Sequence, residues 1–78
     1  MQLAARAYIL IETQVGKSRE ISDGLRTLPG VQSVDIITGS YDIIALVEGE
    51  DMLDIANVVT SQIQVIPGVS RTITCVAV

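Results

Sequence analysis

Histidine, tryptophan and phenylalanine are absent from these 78 residues, cysteine occurs once, and the only aromatic residues are Tyr8 and Tyr41. Each absence removes a class of chemistry. Without histidine, no side chain has its ordinary titration near neutral pH, so general acid–base catalysis is poorly supported and no enzyme is expected. The single thiol, Cys75, cannot close an intrachain disulfide or build a structural zinc site. Two tyrosines are too few for a base-stacking platform. Basic residues are scarce as well: Arg6, Lys17, Arg19, Arg26 and Arg71 stand against nine acidic residues, a net charge of −4. Nucleic-acid binding needs a cationic surface, and this chain repels phosphate overall. The longest aliphatic runs, residues 8–11 and 43–47, are strand-length, far short of the roughly 20 residues of a membrane span. Met1–Ala5 is too short for a secretory leader. A soluble cytoplasmic protein is expected, with no cofactor, no metal, no membrane contact and no direct nucleic-acid partner.

What the chain has is apolar surface. Hydrophobic residues make up 49% of it and charged residues 18%. One domain, residues 1–78, is all this length allows, and a domain so small buries only about 60% of its unfolded surface. Disulfides and metal being excluded, self-association is the remaining source of stability.

The order of elements is legible. Ala5–Thr13 is an apolar block of the kind found in strands buried on both faces. Residues 17–28 carry Ile21, Leu25 and Leu28 at helical spacing, and Pro29-Gly30 stops the helix. Residues 31–38 form a second strand, Gly39-Ser40 a tight two-residue turn, and residues 41–48 a third strand. Glu50 and Asp51 open a second helix, where carboxylates complement the positive helix end. It runs to about Gln64 with Met52, Ile55, Ala56, Val59 and Ile63 as its core stripe. Residues 69–78 are the last strand. Leu28-Pro29-Gly30-Val31 recurs as Ile66-Pro67-Gly68-Val69, so each half is one βαβ unit. Together they predict an α+β, ferredoxin-like βαββαβ sandwich, with an antiparallel four-stranded sheet and both helices on one face. Right-handed crossovers place the first and third strands in the centre.

Two helices cover one face of such a sheet. The strands nevertheless fail to alternate, so the free face is apolar too and calls for a partner. Two sheets stacked back to back, about 10 Å apart, satisfy it. Val58 and Val65 lie together off the helix stripe and read either as ordinary surface valines or as a further contact between dimers.

Few residues invite chemistry. Cys75, beside Val76 in a strand, reads as a buried, inert thiol. The acidic cluster Glu48, Glu50, Asp51 and Asp54 reads as a helix start before it reads as a metal site. The informative segment is Thr38-Gly39-Ser40-Tyr41-Asp42, because Asp42 stands directly before five apolar residues. A carboxylate there is solvated, paired or open to a cation. Asp42 either bonds its own hairpin turn or accepts the ammonium of a bound amino acid, whose carboxylate the amides around Gly39 and Ser40 would hold.

Gly39-Ser40-Tyr41-Asp42 resembles the G-x-Y-D signature of the effector-binding (RAM) domain of Lrp/AsnC regulators. The likeness extends over residues 8–78, through "LPGV", G-x-Y-D, "IPGV" and Arg71-Thr72-Ile73-Thr74, which is similar to the family's R-T-x-T. The resemblance implies amino-acid or related effectors bound between dimers near the G-x-Y-D turn. Gly39, Ser40, Tyr41 and Asp42 are the binding candidates it carries over, with Thr72 and Thr74, whose period-2 spacing puts both hydroxyls on one face. It further implies rings of four or five dimers. The family's N-terminal helix-turn-helix domain is not expected here, and stand-alone domains of this type act as sensors or co-assemble with full-length regulators. ACT domains share the fold without the G-x-Y-D turn, small dimeric α/β-barrel enzymes commonly need polar or histidine pocket residues, and metal-carrying ferredoxin-like domains need paired cysteines. A purely structural assembly domain is the remaining alternative.

An apolar free sheet face predicts an assembly larger than one chain at micromolar concentration. Light scattering coupled to size exclusion measures it, and a monodisperse monomer would remove the stacked-sheet expectation.

Overall fold

The computed structural model describes residues 4–78, so the first three positions of the expected 1–78 unit, and with them most of Met1–Ala5, lie outside the described residues. Strand β1 (Ala5–Thr13) is followed by helix α1 (Ser18–Leu25), β2 (Val31–Ile36), β3 (Ile43–Gly49), α2 (Met52–Val58) and β4 (Val69–Val76), and α2 continues into a π-helical turn at Val59–Ile63. The sheet is antiparallel throughout, in the order β2-β3-β1-β4. This is the ferredoxin-like α+β arrangement, with the two most apolar strands in the centre.

The β1–β3 pair builds the floor of the core. Ala7, Ile9 and Ile11 lie opposite Val47, Ala45 and Ile43, and all six are fully buried. Ile21 and Leu25 from α1, Val34 from β2, and Ile55, Val59 and Ile63 from the second helical segment close over them. Each fully buried Leu, Ile or Val contributes roughly 1.5–3 kcal/mol relative to exposure.

The helices differ from expectation in their ends and in one face. α1 stops at Leu25, and the residues up to Leu28 form turns closed by Thr27 N–H to Gly24 C=O (3.2 Å) and Leu28 N–H to Leu25 C=O (3.1 Å). α2 is capped by Asp51, whose carboxylate accepts from Asp54 N–H at 3.0 Å while Asp54 accepts from Glu50 N–H at 3.1 Å. This reciprocal box accounts for the acidic cluster as a helix start. The core stripe is Ile55, Val59 and Ile63; Met52 and Ala56, expected in it, are exposed. Val58 packs against the core and Val65 is exposed, so the expected Val58–Val65 surface pair does not form. Beyond Val58 the helix widens into the π turn, where Gln64 N–H bonds Val59 C=O at 2.8 Å, five residues back. One extra residue in the turn rotates everything after it out of phase with what precedes it.

The repeated Pro-Gly-Val segments do the same work twice. Gly30 C=O accepts from Glu48 N–H and Gly68 C=O from Gln14 N–H, both at 2.8 Å, so each turn ties down the end of a central strand. Both glycines have positive φ, +87° and +98°. A Cβ on Gly30 would lie 2.8 Å from the Glu48 carbonyl oxygen, and one on Gly68 would lie 3.1 Å from Ile21 Cδ1.

The face of the sheet opposite the helices carries Tyr8, Leu10, Ile44, Leu46, Ile73 and Cys75, by register. Tyr8 and Ile73 are each 40% exposed. Both faces of the central strands are thus apolar, and among the described residues no helix lies over the second one. Cys75 is exposed rather than buried. It lies on β4, an edge strand, on the uncovered face opposite Tyr8; its apolar neighbours in sequence gave no sign that the face stays open.

Gly30→Ala should lower stability by on the order of 1–3 kcal/mol, since alanine there is strained in φ and collides with backbone. Gly24→Ala, in an open part of α1, should raise it by up to about 1 kcal/mol. Urea denaturation of the two variants against wild type measures both signs.

Candidate functional site

The β2–β3 connection is longer than the expected two-residue turn. Ile37 N–H bonds Asp42 C=O at 2.8 Å and Asp42 N–H bonds Ile11 C=O at 2.9 Å, which leaves residues 38–41 as the loop. Gly39 takes φ +129° at its tip, and Gly39 and Ser40 are exposed.

Asp42 does not bond its own hairpin turn. Its Oδ2 accepts from the backbone N–H of Thr13 at 2.8 Å and from the Thr13 hydroxyl at 3.4 Å. The β1–β4 register shifts between Glu12 and Thr13, and the carboxylate takes up the Thr13 amide at that irregularity. Thr13 Oγ1 lies 2.9 Å from Ser18 Oγ at the start of α1. Asp42 therefore pins the loop to the end of β1 and, through Thr13, to α1. Among the described residues no donor is recorded on its second oxygen, Oδ1.

Tyr41 reaches the other way. Its hydroxyl accepts from Arg71 Nη2 at 2.9 Å, and the Arg71 guanidinium carbon lies 5.4 Å from the ring centroid. A hydrogen bond and a cation–π contact thus hold the guanidinium against the loop. Next to it on β4, Thr72 accepts from Gln64 Nε2 at 3.0 Å. Thr72 and Thr74 lie opposite Ile11 and Ile9, hence on one face, as their spacing predicts. It is the helix side of the sheet, but β4 is an edge that the helices leave largely uncovered, so Thr74 is exposed and Thr72 half-buried. A groove of about 350 Å³ lies along this edge, lined by Gln64, Val69, Ser70, Arg71 and Thr72.

The structure therefore links Tyr41 directly to Arg71, beside Thr72; it turns Asp42 toward β1, and Thr74 lies outside the groove lining. Arg71, Gln64 and Ser70 were missing from the expected set. Arg71 had a signal, since it opens the R-T-x-T segment. Gln64 had none, because the π turn sets its direction.

A family model described as the Lrp/AsnC ligand binding domain matches residues 6–78. An uncharacterised HTH-type transcriptional regulator of Pyrococcus horikoshii is 28% identical over 80 residues, covering 99% of this chain and 53% of that protein. The chain thus spans about half the length of the curated relatives it matches. A Thermus thermophilus protein of known structure superposes with a TM-score of 0.90 at 34% identity, over 95% of this chain and 92% of that one. A transcriptional regulator of Neisseria meningitidis, solved as an L-Met complex, has the same fold, with a TM-score of 0.87 at 22% identity, over 99% of this chain and 51% of that one.

Asp42→Ala should cost about 1.5–3 kcal/mol of stability, the worth of a hydrogen bond to a charged group, and Asp42→Asn less, because an amide oxygen can still accept from Thr13 N–H. Thermal melting of both variants ranks them.

Proposed function

This chain belongs to the Lrp/AsnC ligand-binding domain family, and on that premise we propose that residues 1–78 are one small-molecule effector-sensing and oligomerisation module, with amino acids as the effector class. The observation that carries the proposal is the Tyr41–Arg71 contact at 2.9 Å. It joins the G-x-Y-D loop to the threonine-rich strand, two segments thirty residues apart that otherwise share no local reason to meet. In this reading Gly39 and Ser40 offer backbone N–H groups at an exposed loop tip, Tyr41 and Thr72 offer hydroxyls, and Thr74 lies further along the same face. The second oxygen of Asp42 is left for an ammonium group.

The module acts through assembly. The apolar free face supports a homodimer made by stacking two sheets, and rings of such dimers put the effector site between neighbours. Binding at a site shared by two copies changes the assembly by differential affinity. The HTH-type relatives, which are about twice as long, point to transcription control, and full-length Lrp/AsnC regulators are the partners through which this module reaches DNA. Its own net charge of −4 disfavours direct contact. A regulatory rather than enzymatic role fits a site without histidine, and action in the cytoplasm follows from that role. Among the described residues no helix is long and apolar enough to cross a membrane.

Thermal melting and light scattering with each of the twenty amino acids at millimolar concentration test the proposal. A ligand present at about 100 times its Kd adds about 2.7 kcal/mol, a rise of roughly 10–20 °C in Tm for a domain of this size. One or a few amino acids should produce it. Indifference to all twenty would sink the amino-acid reading and leave a structural assembly domain.

A further inference from the structure

The sheet face away from the helices is apolar in its middle and charged at its ends. Tyr8 and Leu10 on β1, Ile44 and Leu46 on β3, and Ile73 and Cys75 on β4 share it by register, while β2 brings Asp35 and Ser33 opposite Ile44 and Leu46. The apolar patch is thus three strands wide, with β1 as its midline and the β2 edge outside it. Strand alternation puts Arg6 and Glu12 on the same face, at the two ends of β1. Arg6 lies opposite Glu48, and Glu12 opposite Arg71. Neither cross-strand pair closes: among the described residues the ion pair recorded is Arg26–Asp23, on α1. Arg71 is drawn elsewhere. Its Nη2 donates to the Tyr41 hydroxyl at 2.9 Å, and Tyr41 precedes Asp42, whose N–H bonds Ile11 C=O. In a sheet ordered β3-β1-β4, that bond carries the guanidinium across β1 to the β3 side.

These charges form a pattern with a direction. At the Arg6 end a cation stands on β1 and an anion, Glu48, on β3. At the Glu12 end the signs are exchanged: the anion stands on β1 and the Arg71 guanidinium lies on the β3 side. A second copy laid face to face on the first is related to it by a twofold axis in the plane between the sheets. An axis across the strands turns β1 end for end, so that positions equidistant from Ile9 meet: Tyr8 with the partner's Leu10, and Arg6 with the partner's Glu12. Glu48 then comes over the partner's Arg71 guanidinium. Stacked sheets cross at about 30°, which displaces the ends of β1 by about one strand's width, a distance that arginine and glutamate side chains span. An axis along β1 keeps the ends together, and sets Arg6 on the partner's Arg6 and Glu12 on the partner's Glu12. Moving that axis toward β3 slides Ile73 and Cys75 onto the polar residues of β2, and moving it toward β4 leaves Ile44 and Leu46 uncovered. Like charges brought together across an interface are costly, and complementary ones fix its register.

We propose that the free face docks a second copy of this chain with its strands antiparallel to the first, and that Arg6 and Glu12 fix this orientation, each pairing with the other across the twofold axis. This orientation rests on the stacked-sheet homodimer proposed above and adds its direction. The apolar centre supplies the affinity, and burial of apolar surface is non-directional. The end charges supply the choice between the two directions, at a rim where long side chains keep their charged heads in water.

The test is analytical ultracentrifugation of the intact chain over a concentration series, with far-UV circular dichroism to establish that each variant is folded. Arg6→Glu and Glu12→Arg should each raise the dimer dissociation constant about tenfold to a hundredfold, because the twofold axis applies every reversal twice. The double variant, Arg6→Glu with Glu12→Arg, should return to within about threefold of wild type, and raising the salt to about 0.5 M should shrink the differences among all four chains. Positions 6 and 12 are six residues apart on one strand, about 20 Å, so the restoration cannot arise within one chain. Within one chain the reversals set like charges opposite Glu48 and Arg71, and those two effects would add in the double variant. Single reversals that leave the dissociation constant unchanged, as stacking with strands parallel requires when like charge replaces like, overturn the orientation. A double variant as weak as the two reversals combined overturns it too. Leu46→Glu, which puts a charge in the apolar centre, should be a monomer, and its dissociation beside indifferent charge variants removes the direction alone. A wild-type chain that is itself monomeric, or a Leu46→Glu chain that keeps the wild-type mass, removes the stacked sheets and the orientation with them.

Discussion

The pairing of β1 with β3 is the constraint on which the rest of the molecule depends. Six side chains meet across it on the helix side, Ala7 with Val47, Ile9 with Ala45 and Ile11 with Ile43, all withdrawn from water. Because strand side chains alternate with a period of two, this register also decides what appears on the other side: Tyr8, Leu10, Ile44 and Leu46. A slip of one residue would exchange two apolar sets, so hydrophobicity alone would not resist it. The register is held instead at its ends. Gly30 C=O takes Glu48 N–H at one end of β3, and Ile11 C=O takes Asp42 N–H at the other. The carboxylate of Asp42 then fastens the Thr13 amide. The residue that most invites a ligand reading is also a pin of the central pair.

Element order and the central position of β1 and β3 were legible in the chain, because they rest on local signals: apolar blocks, helical spacing and two Pro-Gly-Val stops. The second helix shows where such signals end. Its start was readable from Asp51 and Asp54, whose capping bonds are three and four residues long. Its face was misread before the π turn, where Met52 and Ala56 are exposed although they lie at helical spacing from Ile55 and Val59. Cys75 was misread for a different reason. Burial of an edge strand depends on how far two helices reach across a sheet, which no run of residues around position 75 encodes.

The candidate site divides along the same line. The loop and the threonine-rich strand were recognisable as motifs, and the alternation of Thr72 and Thr74 followed from strand geometry. The partners were not. Thr13 lies twenty-nine residues from Asp42, and Arg71 thirty from Tyr41. Contacts at that range are products of the sheet order, so Arg71 could be seen as part of a pattern but not as the neighbour of Tyr41. The loop itself came out longer than a two-residue turn, with its closure set by Ile37 and Asp42 rather than by Gly39 and Ser40.

The sheet order also bears on how the chain reaches its fold. β1 is flanked by β3 and β4, and its farthest rung joins Ala7 to Val76, so almost the whole described chain is the loop that this rung closes. Loop-closure entropy must be met before such a contact returns any stability, and folding rates fall as the mean separation of contacting residues grows. Until β4 docks, β1 has one bare edge and the apolar face of the sheet lacks Ile73. The same β4 edge that carries the groove is therefore also a late, slow step of folding, during which an unfinished molecule offers a neighbour a strand edge to copy.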